Sequence, residues 1–504
     1  MKLNYKRTIY VGFAFFLICA FWQAYDSIIP KILTDKFGLS QSASGLIMGI
    51  DNILALFLLP LFGAISDRCH FRRGRRTPFI LWGTIIAVVL MLALGIADLL
   101  QLNQLKAVQI DNPTALQTLY ESDLTIMTPE GETVVICEKF TENEFTSIEM
   151  GTADYTNYVT PARQTYARTI TEGNPVPLVI LITILLFLLI AMGTFRSPAV
   201  ALMPDVTIKP LRSKANAVIN LMGTLGGILV LVLGIAYGTG KPKNALMSYI
   251  PFFLIVAAIM VIALLLFIHK VKEPAWAMEM EEQSKLLALP EAEETKNSGK
   301  KLERSQRQSL ILLLLSVMLW FMGYNAVTTK YSVYAGSILN LDYNTTLLIA
   351  QGAAIISYIP VGFLSSKIGR KRCIQIGIIF LGTAFMVASF LRAGSPLALM
   401  SALFALAGIG WAMINVNSFP MVVELASGSD VGRYTGYYYT ASMAAQTATP
   451  YLSGLLMDKM GMTTLFPYGT VFVFLAFVTM YAVKHGDNRP AAPETMLDTF
   501  NTED

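Results

Sequence analysis

Three ionisable side chains stand inside apolar runs: Asp26 in "FWQAYDSIIP", Asp51 in "MGIDNILAL" and Arg196 in "AMGTFRSPAV". A charge at the centre of a membrane-spanning helix costs about 2.5–3.5 kcal/mol on insertion scales, so each needs a reason to be there. Asp26 stands beside Gln23, with Trp22 and Tyr25 adjacent, and Asp51 is followed by Asn52. An acid, an amide and aromatic rings on one helix suit a sugar or a proton. A carboxylate paired with Arg196 would release the arginine on protonation, a chemical route from proton binding to movement. The competing readings are a hydrated Asp26 at the outer interface and an Arg196 that snorkels to the inner one. Later runs are polar but nearly uncharged, with Tyr324, Asn325, Gln351, Asn415, Asn417 and Gln446. Amides donate and accept hydrogen bonds while rings stack on an apolar face, which is what a neutral polyol needs. The same amides could instead join helices, for about 0.6 kcal/mol each. Tyr437, Tyr438 and Tyr439 begin a run, where an aromatic belt is the simpler explanation.

The elements that position these groups are helices. The chain has 504 residues, 54% hydrophobic and 14% charged, with a mean hydropathy of +0.55. A soluble chain carries roughly 25% charged residues, and apolar runs near 20 residues match a helix through about 30 Å of hydrocarbon. Twelve runs fall near 8–33, 42–66, 78–100, 176–203, 214–238, 249–269, 308–329, 345–366, 374–392, 396–424, 434–458 and 464–484. The expected fold is an all-α membrane protein. Residues 1–20 resemble a signal peptide, but the run continues past Trp22 without a small-residue cleavage site and reads as an uncleaved first helix. A net charge of +4 does not point to nucleic acid. Cys19, Cys69, Cys137 and Cys373 have no metal-ligand spacing, and His70, His269 and His485 sit at helix ends or loops, so no metal site is expected. Nucleotide-binding, zinc-hydrolase and nucleophile-elbow motifs are missing from the chain, which is not read as an enzyme.

Lysine and arginine in short loops set the orientation. Arg68, Arg72, Arg73, Arg75 and Arg76 follow the second run, Lys209, Arg212 and Lys214 the fourth, and Lys367, Arg370, Lys371 and Arg372 the eighth. These loops share the side of the N-terminus, so both termini are expected in the cytoplasm. The runs divide into a first six-helix half, 1–100 and 175–269, and a second, 307–485. An acidic extracytoplasmic insert occupies 101–174, a charged cytoplasmic linker 270–306 and a cytoplasmic tail 486–504. Within the insert, "LTIMTPEGETVVICEKF" reads as a β-hairpin around a Pro-Glu-Gly turn; a lid, a docking module or a decorative loop all remain open. The halves repeat. Gly63-x-x-x-Asp67-Arg68 with Gly74-Arg75-Arg76 follows the second run, and Gly362-x-x-x-Ser366-Lys367 with Gly369-Arg370-Lys371-Arg372 follows the eighth. Asp205 and Glu424 close the fourth and tenth runs, followed by Arg212 and Arg433. Such a repeat implies a pseudo-twofold axis along the membrane normal.

The loop motif Gly63-x-x-x-Asp67-Arg68…Gly74-Arg75-Arg76 resembles that of the major facilitator superfamily. The fuller string from Pro60 to Ile80, with "SPAVALMPD" and "RSKANA", resembles the sucrose–proton symporter branch of the glycoside–pentoside–hexuronide:cation symporters. The motifs cover about a tenth of the chain. Val200 stands where that branch has an arginine, with Arg196 one turn earlier, and "LVILITILLFLLIAMGTF" lacks the acidic residue of the branch. The resemblance implies a twelve-helix fold with a substrate cavity at mid-membrane between the halves. It places Asp67 at the N-terminal end of the eleventh helix, where the dipole favours an anion, and has Arg68, Arg75 and Arg76 bind acids such as Asp205. Those contacts would form a cytoplasmic gate, weaker in the second half, where Ser366 replaces the acid. The expected function is proton-coupled uptake of a sugar or glycoside across the plasma membrane by a monomer. Its partners would be a small-molecule substrate and the bilayer. Sodium is the alternative coupling ion, and no cofactor is expected. Efflux of a drug or metabolite, and a non-transporting sensor working through the insert, are the alternatives.

Overall fold

The computed structural model describes residues 3–208, 211–286, 303–425 and 431–486. In hydrocarbon every backbone N–H and C=O must be paired within its own segment, so long apolar runs become helices. The first half contains α1 (Tyr5–Lys31), α2 (Gln41–Arg68), α3 (Thr77–Gln104), α8 (Val176–Val206), α9 (Arg212–Tyr237) and α10 (Ile250–Lys270). The second contains α12 (Arg304–Tyr334), α13 (Tyr343–Ile368), α14 (Arg370–Ala388), α15 (Leu397–Val423), α16 (Val431–Met460) and α17 (Leu465–Ala482). Among the described residues, ten segments are long and apolar enough to cross a membrane; α13 and α16 complete the bundle. Each half has its own apolar core, one built around Leu17, Phe21, Met192 and Phe252, the other around Trp320, Tyr331, Ile378 and Phe466.

The repeat reaches into details the sequence did not announce. The first helix of each half ends in a π turn, Ile32–Lys36 after α1 and Ala335–Leu339 after α12. The second helix of each half is capped at its N-terminus by a side chain, Ser40 accepting from the Ala43 N–H and Asp342 from that of Asn344. Each also carries an internal proline, Pro60 and Pro360. Such caps satisfy donors that a helix cannot pair by itself.

The insert is folded. Helices α4 (Ala115–Glu121), α5 (Ile136–Lys139), α6 (Glu142–Thr146) and α7 (Thr160–Gly173) surround a two-stranded antiparallel sheet. Its strands are β1 (Thr125–Met127) and β2 (Thr133–Val135), with Ile126 opposite Val134. A separate core of Leu105, Leu119, Ile126, Ile136, Phe145 and Val159 holds the insert together. Because α3 runs on to Gln104, the insert begins a few residues later than the composition implies. Of the linker, residues 273–286 form α11 (Glu273–Leu286), packed against α8.

The halves meet tightly at the end that carries the insert. There α2 runs against α16, α9 against α13 and α1 against α12. At the opposite, basic end they part. Beyond Ala55, α2 is largely exposed, and a Cβ on Gly436 near the start of α16 would meet nothing within 4 Å.

Candidate functional site

Between the halves lies a cavity with connected lobes. One of about 400 Å³ is lined by Gln23, Asp26, Tyr324, Asn325, Gln351 and Trp411 among others. A second of about 370 Å³ shares Asp26, Tyr324, Asn325 and Trp411 and adds Asp51, Asn52, Arg196, Asn415 and Gln446. Residues from α1, α2, α8, α12, α13, α15 and α16 thus converge on one space at mid-height. The two chemistries of the sequence meet there: charged groups from the first half and amides from the second.

The geometry distinguishes the candidates. Gln351 Nε2 donates across the halves to Gln23 Oε1 at 2.7 Å, and Gln23 Nε2 donates to Ser27 Oγ at 3.0 Å. Asn52 Nδ2 donates to Asp51 Oδ1 at 2.8 Å, which orients that carboxylate. Arg196 has no ion pair with Asp26 or Asp51 within 4 Å; its guanidinium lies 5.5 Å from the Trp22 ring centre, and the residue lines the lobe that both acids line. The two acids and the arginine therefore share one chamber without a closed ion pair among the described residues. Trp22 Nε1, Asn325 Nδ2 and Gln351 Oε1 are buried and have no hydrogen-bond partner among the described residues. Buried polar atoms of this kind are costly unless something hydrogen-bonds to them.

Asn417 does not belong to the cavity. It is 1% exposed and donates to the Met413 carbonyl at 2.9 Å within α15, so the face of that helix, invisible in sequence, turns it into the protein. Tyr438 and Tyr439 depart from the belt reading in the other direction: both line the second lobe, and the Tyr438 hydroxyl lies 3.0 Å from Ser418 Oγ. Trp411 was missed. Its ring stacks on Tyr324 at 3.6 Å between centroids and 5° between planes, forming an aromatic wall for both lobes. A lone tryptophan in an apolar run has no sequence signal that separates wall from core.

At the basic end the loop motif folds onto its own half. Arg75 Nη2 and Arg76 Nε reach Asp205 at 2.6 and 2.8 Å, and Arg76 also binds Asp67 and Ser66. Donating these hydrogen bonds to Asp205 holds the Arg75 guanidinium above its ordinary pKa. Asp67 is 57% exposed and paired with Arg76, and among the described residues it has no ion pair with α16. Arg68 is exposed and forms no ion pair among the described residues, because Arg75 and Arg76 already occupy Asp205. In the second half Arg370 Nη1 meets Glu424 Oε2 at 2.8 Å, the counterpart of the Arg76–Asp205 pair. The side chains of Arg212 and Arg433 lie outside the described residues. Gly63 lets α2 pass Ser197 of α8. Gly74 and Gly369 both have positive φ, +107° and +91°, which favours glycine.

Glu273, the first residue of α11, was also missed. It is 2% exposed and accepts the N–H groups of Arg76 at 2.9 Å and Thr77 at 2.7 Å, capping α3. Its carboxylate lies where a Cβ of Gly74 would fall, so the glycine of the motif leaves room for the linker.

This fold is matched by known proteins. The Major Facilitator Superfamily profile matches residues 169–359 and 344–498, and the MFS/sugar transport protein profile matches 10–100. The chain belongs to the Major Facilitator Superfamily. It is an all-α, multi-pass integral membrane protein of that fold. It is 38% identical over 68 residues to YagG of Escherichia coli (strain K12), named as a provisional glycoside/cation symporter, over 13% of this chain and 15% of YagG. It is 31% identical over 118 residues to the uncharacterized MFS-type transporter MJ1317 of Methanocaldococcus jannaschii, over 23% of this chain and 29% of that relative. These matches span less than a third of the relatives' lengths. Among solved structures, the xylose transporter XylE of E. coli in an inward open conformation superposes with a TM-score of 0.57 at 16% identity, covering 97% of each chain. A D-xylose-proton symporter gives 0.57 at 17%, covering 96% of this chain and 99% of the other. At those identities the likeness carries the fold.

Proposed function

We propose that this facilitator takes up a sugar or glycoside with a proton, cycling by rocking of the two halves about the central cavity. The carrying observation is the lining of that cavity: amides from both halves joined at Gln23–Gln351, partnerless buried donors and acceptors, and the stacked Tyr324–Trp411 wall. A polyol offers hydroxyls to the first set and C–H faces to the second. Asp26 and Asp51 are the coupling candidates, with Arg196 as the charge that their protonation would release. Orientation by the positive-inside rule puts the basic end and both termini in the cytoplasm, so the open side of the cavity in this structure faces inward. The sucrose-like branch is supported by the loop string from Pro60 to Ile80, and sugar uptake by the short match to YagG and the sugar transport profile over 10–100.

Uptake of a panel of labelled sugars into proteoliposomes, with an imposed pH or sodium gradient, tests the reading. The expected result is concentrative uptake of a sugar driven by the pH gradient and lost in the Asp26→Asn, Asp51→Asn double variant. Intact proton-driven uptake in that variant would remove both acids from the coupling step, and uptake driven by sodium alone would replace the ion.

A further inference from the structure

The insert end of the bundle holds a second set of charges, unconnected to the loop motif, exactly where the halves meet. Asp458, near the end of α16 in the second half, accepts the N–H groups of Gln41 at 2.7 Å and Ser42 at 2.8 Å, together with the Ser42 hydroxyl. These are the first two N–H groups of α2 in the first half, donors that a helix cannot satisfy internally, and the α2 dipole favours the carboxylate. Lys330 of α12 is fully buried and donates to the carbonyl of the same Gln41. One residue of the first half is thus held by an anion and a cation of the second. The helices touch backbone to backbone here: a Cβ on Gly454 of α16 would land on the Gln41 carbonyl.

The insert crosses above this seam. It is fastened to the first half by buried contacts. Gln101 Nε2 of α3 donates to Thr171 Oγ1 of α7 at 3.1 Å, and Gln164 Nε2 of α7 donates to Asp35 Oδ1 at 3.0 Å. Its hold on the second half is slighter. The Thr463 N–H donates to the Pro129 carbonyl at 3.3 Å, and the hairpin turn at Gly131 presses on Gly461 just after α16. Further contacts run from Gly151 to the Asn340 side chain and from the Tyr155–Val159 turn of the insert to the Ala335–Leu339 turn of the second half, without a side-chain hydrogen bond among the described residues.

We propose that Asp458 and Lys330 form the gate of the insert end, and that the insert is a strap which rides with the first half and clips the second at Thr463. The asymmetry of its fastenings carries this. Opening the insert end must separate α2 from α16 and α9 from α13; the contacts that break include the Asp458 and Lys330 bonds, the Thr239 bonds to Tyr343 and Asn344, and the hairpin clip, while the buried anchors to the first half stay. Asp458 and Lys330 are positioning residues: neither lines the cavity, and both act on the equilibrium between its two openings. The inference rests on the alternating-access reading above.

The test uses the full chain with its native cysteines replaced by serine and Thr328→Cys as a reporter, since Thr328 lines both lobes. A membrane-impermeant maleimide is applied to intact cells and to inverted vesicles, so that each face is probed separately. Thr463→Pro deletes the clipping N–H without touching the insert, and Asp458→Asn weakens the cap on α2. Each charge-assisted bond lost changes the ratio of the two openings by about tenfold. Labelling from the insert face should therefore rise by about that factor in Asp458→Asn, rise less in Thr463→Pro, and return to the parent rate in Asp458→Glu. Labelling confined to the basic face at the parent rate in every variant overturns the strap and leaves the carrier intact. Labelling from neither face overturns both readings.

Discussion

Two asparagines show how residue and environment separate. Asn325 offers a partnerless buried Nδ2 to the cavity, whereas the amide of Asn417 is spent on the Met413 carbonyl within its own helix. Asn417→Ala should therefore lower the melting temperature in detergent, by the roughly 1 kcal/mol of one buried hydrogen bond, and leave the KM for substrate in place. Asn325→Ala should raise KM and spare the melting temperature; a reversed pattern would exchange their roles. The Tyr324–Trp411 stack makes a separate prediction. Aromatic pairs contribute about 0.5–1.5 kcal/mol beyond burial, so Trp411→Ala should raise KM by about two- to tenfold. Uptake kinetics with unchanged KM would confine Trp411 to packing.

At the scale of elements, the loop between α2 and α3 is stabilised from the linker as much as by its own charges. Glu273 accepts three donors, the Arg76 and Thr77 N–H groups and the Thr77 hydroxyl. Glu273→Ala strands them in a buried position, where each unsatisfied group costs about 1–3 kcal/mol. The expected result is a lower melting temperature together with faster amide exchange in the first turn of α3. Exchange unchanged at Thr77 would mean that α3 is capped without the linker. In the insert, Glu144 completes a capping box with Thr141, and the Thr141 N–H and hydroxyl hold its carboxyl below the ordinary value. A depressed folded pKa stabilises above the unfolded value, and that contribution fades as pH falls through the folded one. Thr141 amide protection should thus weaken on acidification, and Glu144→Gln should flatten the dependence.

For the whole molecule, the structure is sealed beneath the insert and parted at the basic end, which fits one arrangement of the proposed alternating-access cycle. With the halves apart, Asp67 is exposed and rests on Arg76. Under the proposed alternating access, a contact of Asp67 with the start of α16 would belong to the arrangement in which that end closes. Asp67→Asn should then shift the protein further toward the arrangement seen here, read as faster labelling of the Thr328→Cys reporter in inverted vesicles; no change would remove Asp67 from the basic gate. The Arg370–Glu424 pair of the second half, which lacks the acid because Ser366 stands in its place, should tolerate neutralisation better than Arg76–Asp205.

The sequence by itself determined the helices and some of the residues that enter the cavity, among them Asp26, Asp51 and Gln351. Runs near 20 apolar residues have no stable alternative in hydrocarbon, and a charge or amide inside one stands out against that background. Asp26, Asp51 and Gln351 were legible for this reason. What only the tertiary structure decided is which way each polar group faces and what it meets across the seam. Asn417 and Asn415 lie two residues apart, yet one is buried in the protein and the other lines the cavity, because helix rotation is fixed by packing. The Asp458 cap on α2, the Lys330 bond to Gln41 and the Glu273 brace join residues hundreds of positions apart. They left no sequence signal because each depends on distances that exist only after the halves have docked.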